Sequence, residues 1–292
     1  MTWKESRPSR LKVAKIYLQR ALNSVGNSSP YLSGDLFADN CDIAIGSDGL
    51  RRRPISGRSI KSANVIYCRS DLLESFFEEN FKIITAKVVI AGNSDREFHA
   101  YPDKIPPSVR HLFLQNSFIS NSARTTAIPI GIENKRWAVN GVKSFMSSTI
   151  PWDERSNAIM VGPFGLTHPI RVGIEETFSK LSLNEIAFYP NRLDPTDYAK
   201  IAGGYKFVAA VRGNGVDTHR HWESIYRGSK IVVQRDNWSV NFEDLNLPFV
   251  YVEGWSVDSV LKALKNDSFF KDPKELPILW WPYWNEKIKK FL

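Results

Sequence analysis

The stretch FVAAVRGNGVDTHRHWESIYRGSKIVV, residues 207–233, decides the predicted fold class. Its first apolar run is typical of a strand, and it ends in a glycine-rich turn. A helical pattern follows at once, and a second apolar run closes the unit. Strands that alternate with helices in this way indicate an α/β protein with a mostly parallel sheet. In open sheets of this class, ligands bind beyond the carboxyl ends of the strands, which is where this turn is predicted to lie.

Positive and titratable side chains gather around the start of the predicted helix, namely Arg212, His219, Arg220 and His221. A helix N-terminus already carries partial positive charge, so each cation there costs up to about 1 kcal/mol. A bound anion would reverse that cost, because the free N–H groups of the helix and the two arginines would all act on it. The pattern therefore predicts a phosphate site at this turn.

The residues of the turn fit a bound phosphate. Gly213 and Gly215 allow the backbone to approach a ligand closely. Asp217 or Thr218 can cap the helix that follows. Together with the arginines, these residues predict a turn that is built around an anion.

One helical turn after Arg220, Glu223 lies on the same face of the predicted helix. A carboxylate at this position can accept hydrogen bonds from both hydroxyl groups of a ribose, which favours a nucleoside diphosphate as the ligand. The alternative is a surface ion pair between these two side chains. Trp222, Ile225 and Tyr226 are predicted to face the sheet as core.

Strand patterns of similar length recur on both sides of this unit, separated by helical patterns. The predicted strands are 64–69, 87–92, 125–132, 157–162, 185–190, 207–211, 229–233 and 249–255. Periodicity fades between residues 137 and 157, which predicts two domains, 1–145 and 146–292. Residues 40–61 are rich in Gly, Ser and Arg and are predicted to be a long loop. The aromatic and lysine-rich tail, residues 276–292, is predicted to be a helix that packs across both domains, with a membrane-surface helix as the alternative.

Composition excludes several classes of protein. The 292 residues carry a formal charge of +8, but the basic residues are scattered and accompany no nucleic-acid-binding motif, so no nucleic-acid partner is expected. Two cysteines make no disulfide framework. No apolar run is long enough for a transmembrane helix, and residues 1–22 lack the apolar core of a signal peptide. We expect a cytoplasmic protein that can make peripheral contact with a membrane.

Two common nucleotide motifs can be compared with this turn. The phosphate-binding loop GxxxxGK[ST] is missing. The dinucleotide fingerprint GxGxxG is met in part, because Thr218 replaces its third glycine. Asp236 lies where such a fold places its ribose-binding acid. A nicotinamide-dependent oxidoreductase is therefore the alternative enzyme class.

The stretch RGNGVDTHRHWESIYRGSKIVV resembles the donor-binding signature of exostosin-like glycosyltransferases of the GT-B fold. Shorter blocks agree with a bacterial branch of that family: YLSGDLF (31–37), NSD (93–95), QN (115–116) and IPIGIEN (128–134). The resemblance implies two Rossmann-like domains that face a cleft, with the acceptor in the first domain and a nucleotide sugar in the second. It further implies an inverting, metal-independent transfer from a nucleoside diphosphate sugar to a glycan or glycolipid acceptor.

The resemblance also assigns residues to the donor. Arg212 and Arg220 would hold the diphosphate and Glu223 the ribose, while Thr167 and Arg171 after strand 157–162 would add a second phosphate contact. The family pattern has threonine-asparagine where this chain has Thr167 and His168. The full set of donor-binding candidates is Thr167, Arg171, Arg212, Gly213, Asn214, Gly215, Asp217, Thr218, His219, Arg220 and Glu223.

In the first domain, an inverting transfer needs a general base for the acceptor hydroxyl. Asp95 follows strand 87–92 directly and is the first candidate, with Asp35 and Glu133 as alternatives. Branch members tend to have a histidine at the position of Ala91, so one candidate base is missing. The acceptor-binding candidates are Asp35, Asn93, Ser94, Asn116, Glu133 and Asn134. The asparagines are equally compatible with a structural role.

No metal site and no cofactor are expected. An Asp-x-Asp triad is missing, and the five histidines have no metal-ligand spacing. Arginines and a helix N-terminus would take the place of a metal ion. A nucleotide- or glycan-binding module without catalysis is the remaining alternative, and the missing histidine is compatible with it.

Overall fold

The structure is a computed structural model that describes residues 28–46, 55–135, 141–265 and 272–292. These residues form two five-stranded sheets in which all paired strands are parallel. The predicted α/β class with parallel sheets is confirmed. We call residues 28–135 the first half, residues 156–265 the second half and residues 272–292 the C-terminal segment.

The first sheet takes its strands in chain order, β1-β2-β3-β4-β5. These strands are β1 (Ile43–Ile45), β2 (Val65–Arg69), β3 (Val88–Gly92), β4 (His111–Leu114) and β5 (Thr125–Ala127). The helices of this half are α1 (Gly34–Asp39), α2 (Gly57–Ser62) and α3 (Leu73–Asn80). Because the strand order does not reverse within the described residues, right-handed crossovers carry α2 and α3 to the same face.

The two faces of the first sheet are buried by different parts of the chain. Along β2, Ile66 and Cys68 pack in one apolar cluster with Phe77 of α3, as expected from the alternation of side chains along a strand. Val65 and Tyr67 face the other way, into a cluster that includes α1 and the C-terminal segment. The back face of this sheet is therefore covered by chain from both ends of the described region.

The second sheet has the order β10-β9-β8-β6-β7. Its strands are β6 (Ser156–Val161), β7 (Ile186–Phe188), β8 (Tyr205–Ala209), β9 (Lys230–Gln234) and β10 (Phe249–Val252). Its helices are α4 (Pro169–Phe178), α5 (Pro195–Ala202), α6 (His219–Tyr226), α7 (Asn237–Val240) and α8 (Val257–Lys265). Since α4 and α8 pack on one face and α6 on the other, this sheet is doubly wound.

One apolar core joins the two halves. It includes Phe113 of the first sheet, Trp222 and Ile225 of α6, and Trp284 of the C-terminal helix α9 (Trp281–Lys289). Trp284 is fully buried, and its ring centroid lies 5.8 Å from that of Phe37 in α1. The apolar side chains of the C-terminal segment are thus used in packing against the first half and α6.

The structure corrects three sequence-based element predictions. Residues 40–61 are not one long loop, because they contain β1 and most of α2. Strand β4 was missed, and the strand predicted over 125–132 stops at Ala127. The predicted boundary at residue 145 lies at the end of a 3-10 turn, Lys143–Phe145, between the two sheets. Within the described ranges, no helix is long and apolar enough to span a bilayer.

Candidate functional site

The strand order of the second sheet reverses between β6 and β8. At such a reversal, the loops after the two strands diverge and leave a crevice at the carboxyl edge of the sheet, which is the usual ligand site of doubly wound folds. Here the crevice lies between residues 162–168 after β6 and residues 210–218 after β8. We call it the switch-point crevice. Most of the predicted donor-binding residues lie on these two loops or on the helices that follow them.

Arg171, at the start of α4, holds the two loops of the crevice together. Its Nε donates to the Arg212 carbonyl at 2.7 Å and its Nη2 to the Val211 carbonyl at 2.9 Å. Its Nη1 donates to the Gly165 carbonyl at 3.1 Å and to Thr167 Oγ1 at 3.2 Å. Burial lowers the pKa of Arg171 to about 10, so it stays charged at neutral pH. Because its donors are used by the protein, Arg171 positions the crevice instead of offering free N–H groups.

Arg220, in the first turn of α6, faces the loop after β6. Its Nη2 donates to the Pro163 carbonyl at 2.6 Å, and its Nη1 lies 3.4 Å from the Gly162 carbonyl. The guanidinium also lies over two aromatic rings, 4.9 Å from the centroid of Phe164 and 5.2 Å from that of Tyr198. Carbonyl dipoles and ring faces therefore stabilise this cation at the helix start.

Arg212 is the arginine of the crevice that reaches the first half. Its Nη2 forms an ion pair with Glu97 Oε1 of the loop after β3. Its Nε is buried and has no hydrogen-bond partner among the described residues. A Cβ at the neighbouring Gly213 would lie 3.0 Å from Arg171 Nη2 and 3.3 Å from Thr167 Oγ1, so a larger residue here would press on the side chains that hold the crevice together. Asn214 is exposed at the tip of the same loop.

The two histidines of the α6 start are both held by hydrogen bonds within the protein. Thr218 is the N-cap residue, and its backbone N–H donates to His221 Nδ1 at 3.1 Å. Burial lowers the pKa of His221 to about 3, so this imidazole is neutral, as its acceptor role requires. His219 points across the interface and donates from Nδ1 to the Gly131 carbonyl at 2.9 Å. The His221 imidazole therefore adds no positive charge to the crevice.

Asp217 joins the two halves from inside the interface. Its carboxylate accepts hydrogen bonds from the Ile130 N–H at 2.7 Å and from Trp222 Nε1 at 2.8 Å. Its own N–H donates to Asn116 Oδ1 at 2.9 Å. A Cβ at Gly215 would lie 2.9 Å from the Asn116 amide nitrogen, so the loop after β8 can approach the first half this closely only with glycine there. Asp217 and Gly215 thus each have a structural role in the contact between the two halves.

Glu223 lies in the same interface and is only 3 % exposed. Its Oε1 is 3.5 Å from the Glu133 N–H, and its Oε2 is 3.6 Å from Arg227 Nη2. Arg227 Nε in turn donates to the Phe145 carbonyl at 2.6 Å. Arg220 and Glu223 share one helix, but the first contacts the loop after β6 and the second contacts the first half.

The predicted acceptor-binding blocks of the first half meet at the carboxyl ends of β3 and β5. Asn134 Nδ2 donates to Asn93 Oδ1 at 2.7 Å, and Asn134 Oδ1 accepts from the Asp35 N–H at 2.9 Å. The Lys135 N–H donates to Asp35 Oδ2 at 3.2 Å. A Cβ at Gly34 would overlap Asn93 Oδ1 at 1.7 Å. The structure brings these side chains together, and they use much of their hydrogen-bonding capacity on one another.

Asn116 and Ser94 extend this network toward the second half. Asn116 Nδ2 donates to the Ser94 carbonyl at 3.0 Å, while Asn116 Oδ1 accepts from the Asp217 N–H. Ser94 Oγ accepts from the Arg96 N–H at 3.2 Å. The structural interpretation of Asn116 is thus favoured over direct contact with a sugar.

The three candidate bases differ in their access to solvent. Asp95 is exposed in the loop after β3. Asp35 is 8 % exposed and lies in the first turn of α1. Glu133 is half-buried, and a Cβ at Gly141 would lie 2.8 Å from Glu133 Cβ. Asp95 is the most accessible of the three to an incoming hydroxyl group.

A narrow pocket opens beside the crevice, at the carboxyl ends of β8, β9 and β10. Its cavity volume is about 20 Å³, and its polar lining includes Arg212, Gln234 and Asp236, with Trp238 and Trp255 as aromatic walls. Two buried donors on lining residues, Arg212 Nε and Trp238 Nε1, have no partner among the described residues. A cavity of this volume has room for one or two water molecules and is far smaller than the roughly 300 Å³ of typical small-molecule sites.

The structure gives three residues of this site a place that the sequence did not predict. Trp238 was not singled out, although it lines the pocket with an unpaired N–H. Asp236 was predicted as a ribose ligand of a dinucleotide fold, but its Oδ1 accepts from the Ser239 N–H at 2.8 Å and caps α7. Glu97 was missed because its partner Arg212 lies 115 positions away in the chain. A short sequence pattern carries no signal for such a contact.

Comparison of the chain with protein-family models gave no match, and neither did comparison with curated proteins. Among the residues that the structure describes, no group of three or more His, Cys, Asp or Glu side chains is arranged to hold a metal ion.

Proposed function

We propose that this protein is a metal-independent glycosyltransferase of GT-B architecture that binds a nucleoside diphosphate sugar in the switch-point crevice. The observation that carries the proposal is the convergence of Arg212, Arg220 and the start of α6 on the one strand-order reversal among the described residues. Such a site favours a ligand with clustered negative charge. The resemblance to exostosin-like glycosyltransferases narrows the ligand class to nucleotide sugars.

The diphosphate is assigned to Arg212 and Arg220. Arg212 has an unpaired Nε, and Arg220 is held against the loop after β6 by the Pro163 carbonyl. Arg171 keeps both loops of the crevice in register through its four hydrogen bonds. Positive groups fixed before the ligand arrives stabilise the charge that develops on a departing phosphate without further reorganisation.

The nucleoside is not assigned to Glu223. The Glu223 carboxylate is buried against Glu133 and Arg227, so we propose that it positions the two halves. The narrow pocket beside the crevice has unpaired N–H donors on Arg212 and Trp238, but at about 20 Å³ it is too small for a base.

The acceptor is assigned to the loops after β3 and β5. In the proposed reaction, the acceptor oxygen attacks the anomeric carbon while the bond from that carbon to the phosphate oxygen breaks. The bonding electron pair leaves with the diphosphate, and the hydroxyl proton passes to a carboxylate, for which Asp95 is the most accessible candidate. Inversion at the anomeric carbon is part of the proposal and rests on the family resemblance.

The test is a thermal-shift panel of UDP-, GDP- and dTDP-linked sugars followed by calorimetry. We expect one class to raise the melting temperature, and we expect Arg220→Ala to weaken its binding at least tenfold. Arg235→Ala is the matched control, since Arg235 pairs with exposed Glu243 at 2.7 Å outside the crevice and should leave the affinity unchanged. If none of the three classes binds the wild-type protein, the proposal is wrong.

Two further measurements separate the alternatives. Slow hydrolysis of the bound donor, followed by NMR, is expected for a transferase and not for a module that only binds. A shift with NAD(H) or NADP(H), in place of a nucleotide sugar, would support an oxidoreductase.

A further inference from the structure

The Arg212–Glu97 ion pair connects the switch-point crevice to the first half. Among the ion pairs between described residues, it is the one that crosses from one half to the other. The two side chains are 26 % and 18 % exposed, so the pair is partly shielded from water. A carboxylate therefore already occupies one donor edge of an arginine that is assigned to phosphate.

The bonding of Arg212 is incomplete in this form. Glu97 takes Nη2, whereas the buried Nε has no partner among the described residues. A guanidinium whose donors match a two-oxygen anion is normally satisfied by two parallel bonds. The unsatisfied Nε is thus a position that a second anionic oxygen fits.

Glu97 is itself held in place from the side away from Arg212. Its second oxygen, Oε2, lies 3.3 Å from His99 Nε2, and the His99 ring stacks on Phe118 with 4.4 Å between centroids. His99 is 66 % exposed, so this second contact of Glu97 lies close to solvent.

We propose that the Glu97 carboxylate occupies the position on Arg212 that the ligand's diphosphate takes. When the diphosphate binds, it displaces Glu97 from Arg212 and so breaks the ion pair between the two halves. The inference rests on the proposed role of the crevice as a diphosphate site. A carboxylate and a diphosphate on one guanidinium repel each other, so the ligand must overcome Glu97 to bind. Glu97 then sets both the affinity of the crevice and its coupling to the acceptor half.

The test uses inorganic pyrophosphate and isothermal titration calorimetry on the full chain. Glu97→Gln keeps the size of the side chain but removes its charge, and it is expected to raise pyrophosphate affinity about tenfold, the worth of a hydrogen bond to a charged group. The matched control is Glu74→Gln. Glu74 pairs with Arg96 at 2.5 Å in the same half, so this change removes an equal charge away from Arg212 and should leave the affinity unchanged.

A double-mutant cycle gives the decisive comparison. If Glu97 acts through Arg212, the gain from Glu97→Gln disappears in the Arg212→Gln background. Pyrophosphate affinity that is unchanged or weaker in Glu97→Gln would overturn the inference, yet leave the proposed function standing as long as nucleotide sugars bind. An equal gain in Glu74→Gln would also overturn it, because the effect would then be one of overall charge.

Discussion

At the residue scale, two asparagines end neighbouring strands in the same way. Asn93 after β3 and Asn116 after β4 both have φ near 55°, a left-handed conformation that asparagine tolerates better than other non-glycine residues. Asn93 thereby accepts a hydrogen bond from Asn134 of the first half, and Asn116 accepts one from the Asp217 N–H of the second half. Asn93 also has Gly34 pressed against its side-chain oxygen.

The contact between Gly34 and Asn93 predicts an asymmetric response to alanine. Gly34→Ala must displace the Asn93 side chain and its bond to Asn134, and we expect it to lower the free energy of unfolding by about 1–3 kcal/mol. Gly173→Ala is the matched control, because nothing lies within 4 Å of its Cβ position inside α4. It should raise stability by about 0.5–1 kcal/mol. Urea unfolding measures both, and equal stability of the two variants would contradict the structure.

Asp217 predicts a pH dependence of stability. Burial raises its pKa from 3.8 to about 8, so between these values the folded protein holds a proton that the unfolded chain releases. Stability from this group therefore falls as pH rises through that window. His221, lowered from 6.5 to about 3, acts in the opposite direction below pH 6.5. The net fall is expected between about pH 6.5 and 8.

Thermal unfolding at several pH values measures this effect. A single proton limits the slope to about 1.4 kcal/mol per pH unit. Asp217→Asn should be less stable at pH 6.5, since it leaves the Ile130 or Trp222 donor unpaired, but its stability should no longer fall toward pH 8. A slope in the variant as steep as in the wild type would assign the proton to another group.

The candidate site could be predicted from the sequence only where its parts are close in the chain. The turn 212–218 and the start of α6 were found because glycines, arginines and a helix start lie within ten residues. The roles of Arg171 and Glu223 could not be predicted in this way, because the partners of both side chains belong to other loops. The N–H groups of Arg171, which the sequence alone leaves unassigned, donate to carbonyl groups in the folded protein. Burial of a carboxylate such as Glu223 depends on the other half of the molecule.

At the scale of elements, the predicted strands were segments of five or more residues with at least three apolar positions. Strand β1 is apolar throughout but has only three residues, Ile43–Ile45, and it lies in a stretch rich in Gly, Ser and Arg, so the pattern of that stretch predicts a loop. Strand β4 is fully buried over four residues but begins with His111, which bonds to Thr126 and stacks on Phe291. A buried histidine breaks an apolar run without breaking the strand.

Helix α6 connects the switch-point crevice to the rest of the molecule. Its first turn contacts the crevice through Arg220, and its later turns pack Trp222 and Tyr226 in the common core. Tyr226 accepts a hydrogen bond from the Leu32 N–H at 3.0 Å and donates to the Leu279 carbonyl. One helix of eight residues thus links the crevice, the first half and the C-terminal segment.

At the scale of the whole molecule, the common core predicts that both halves unfold together. Trp284→Ala removes a fully buried side chain that donates to the Ile278 carbonyl at 2.8 Å, and it should cost about 3–5 kcal/mol. Calorimetry should record a single transition in the wild type and a single, lower transition in this variant. Lys289→Ala, an exposed change on the same helix, should stay within about 0.5 kcal/mol of the wild type. Two separate transitions would contradict a common core.

The cover that α9 provides to the first sheet has a consequence for how the protein is made. The residues of the first sheet have all been synthesised when β5 is complete, yet Trp284 follows more than half the chain later. At about 5–20 residues per second, the growing chain would leave Phe37 and Phe113 without Trp284 for roughly ten to thirty seconds. During this interval the nascent chain presents an aromatic surface that a chaperone can hold, and the first half reaches its final packing only after Trp284 has been made.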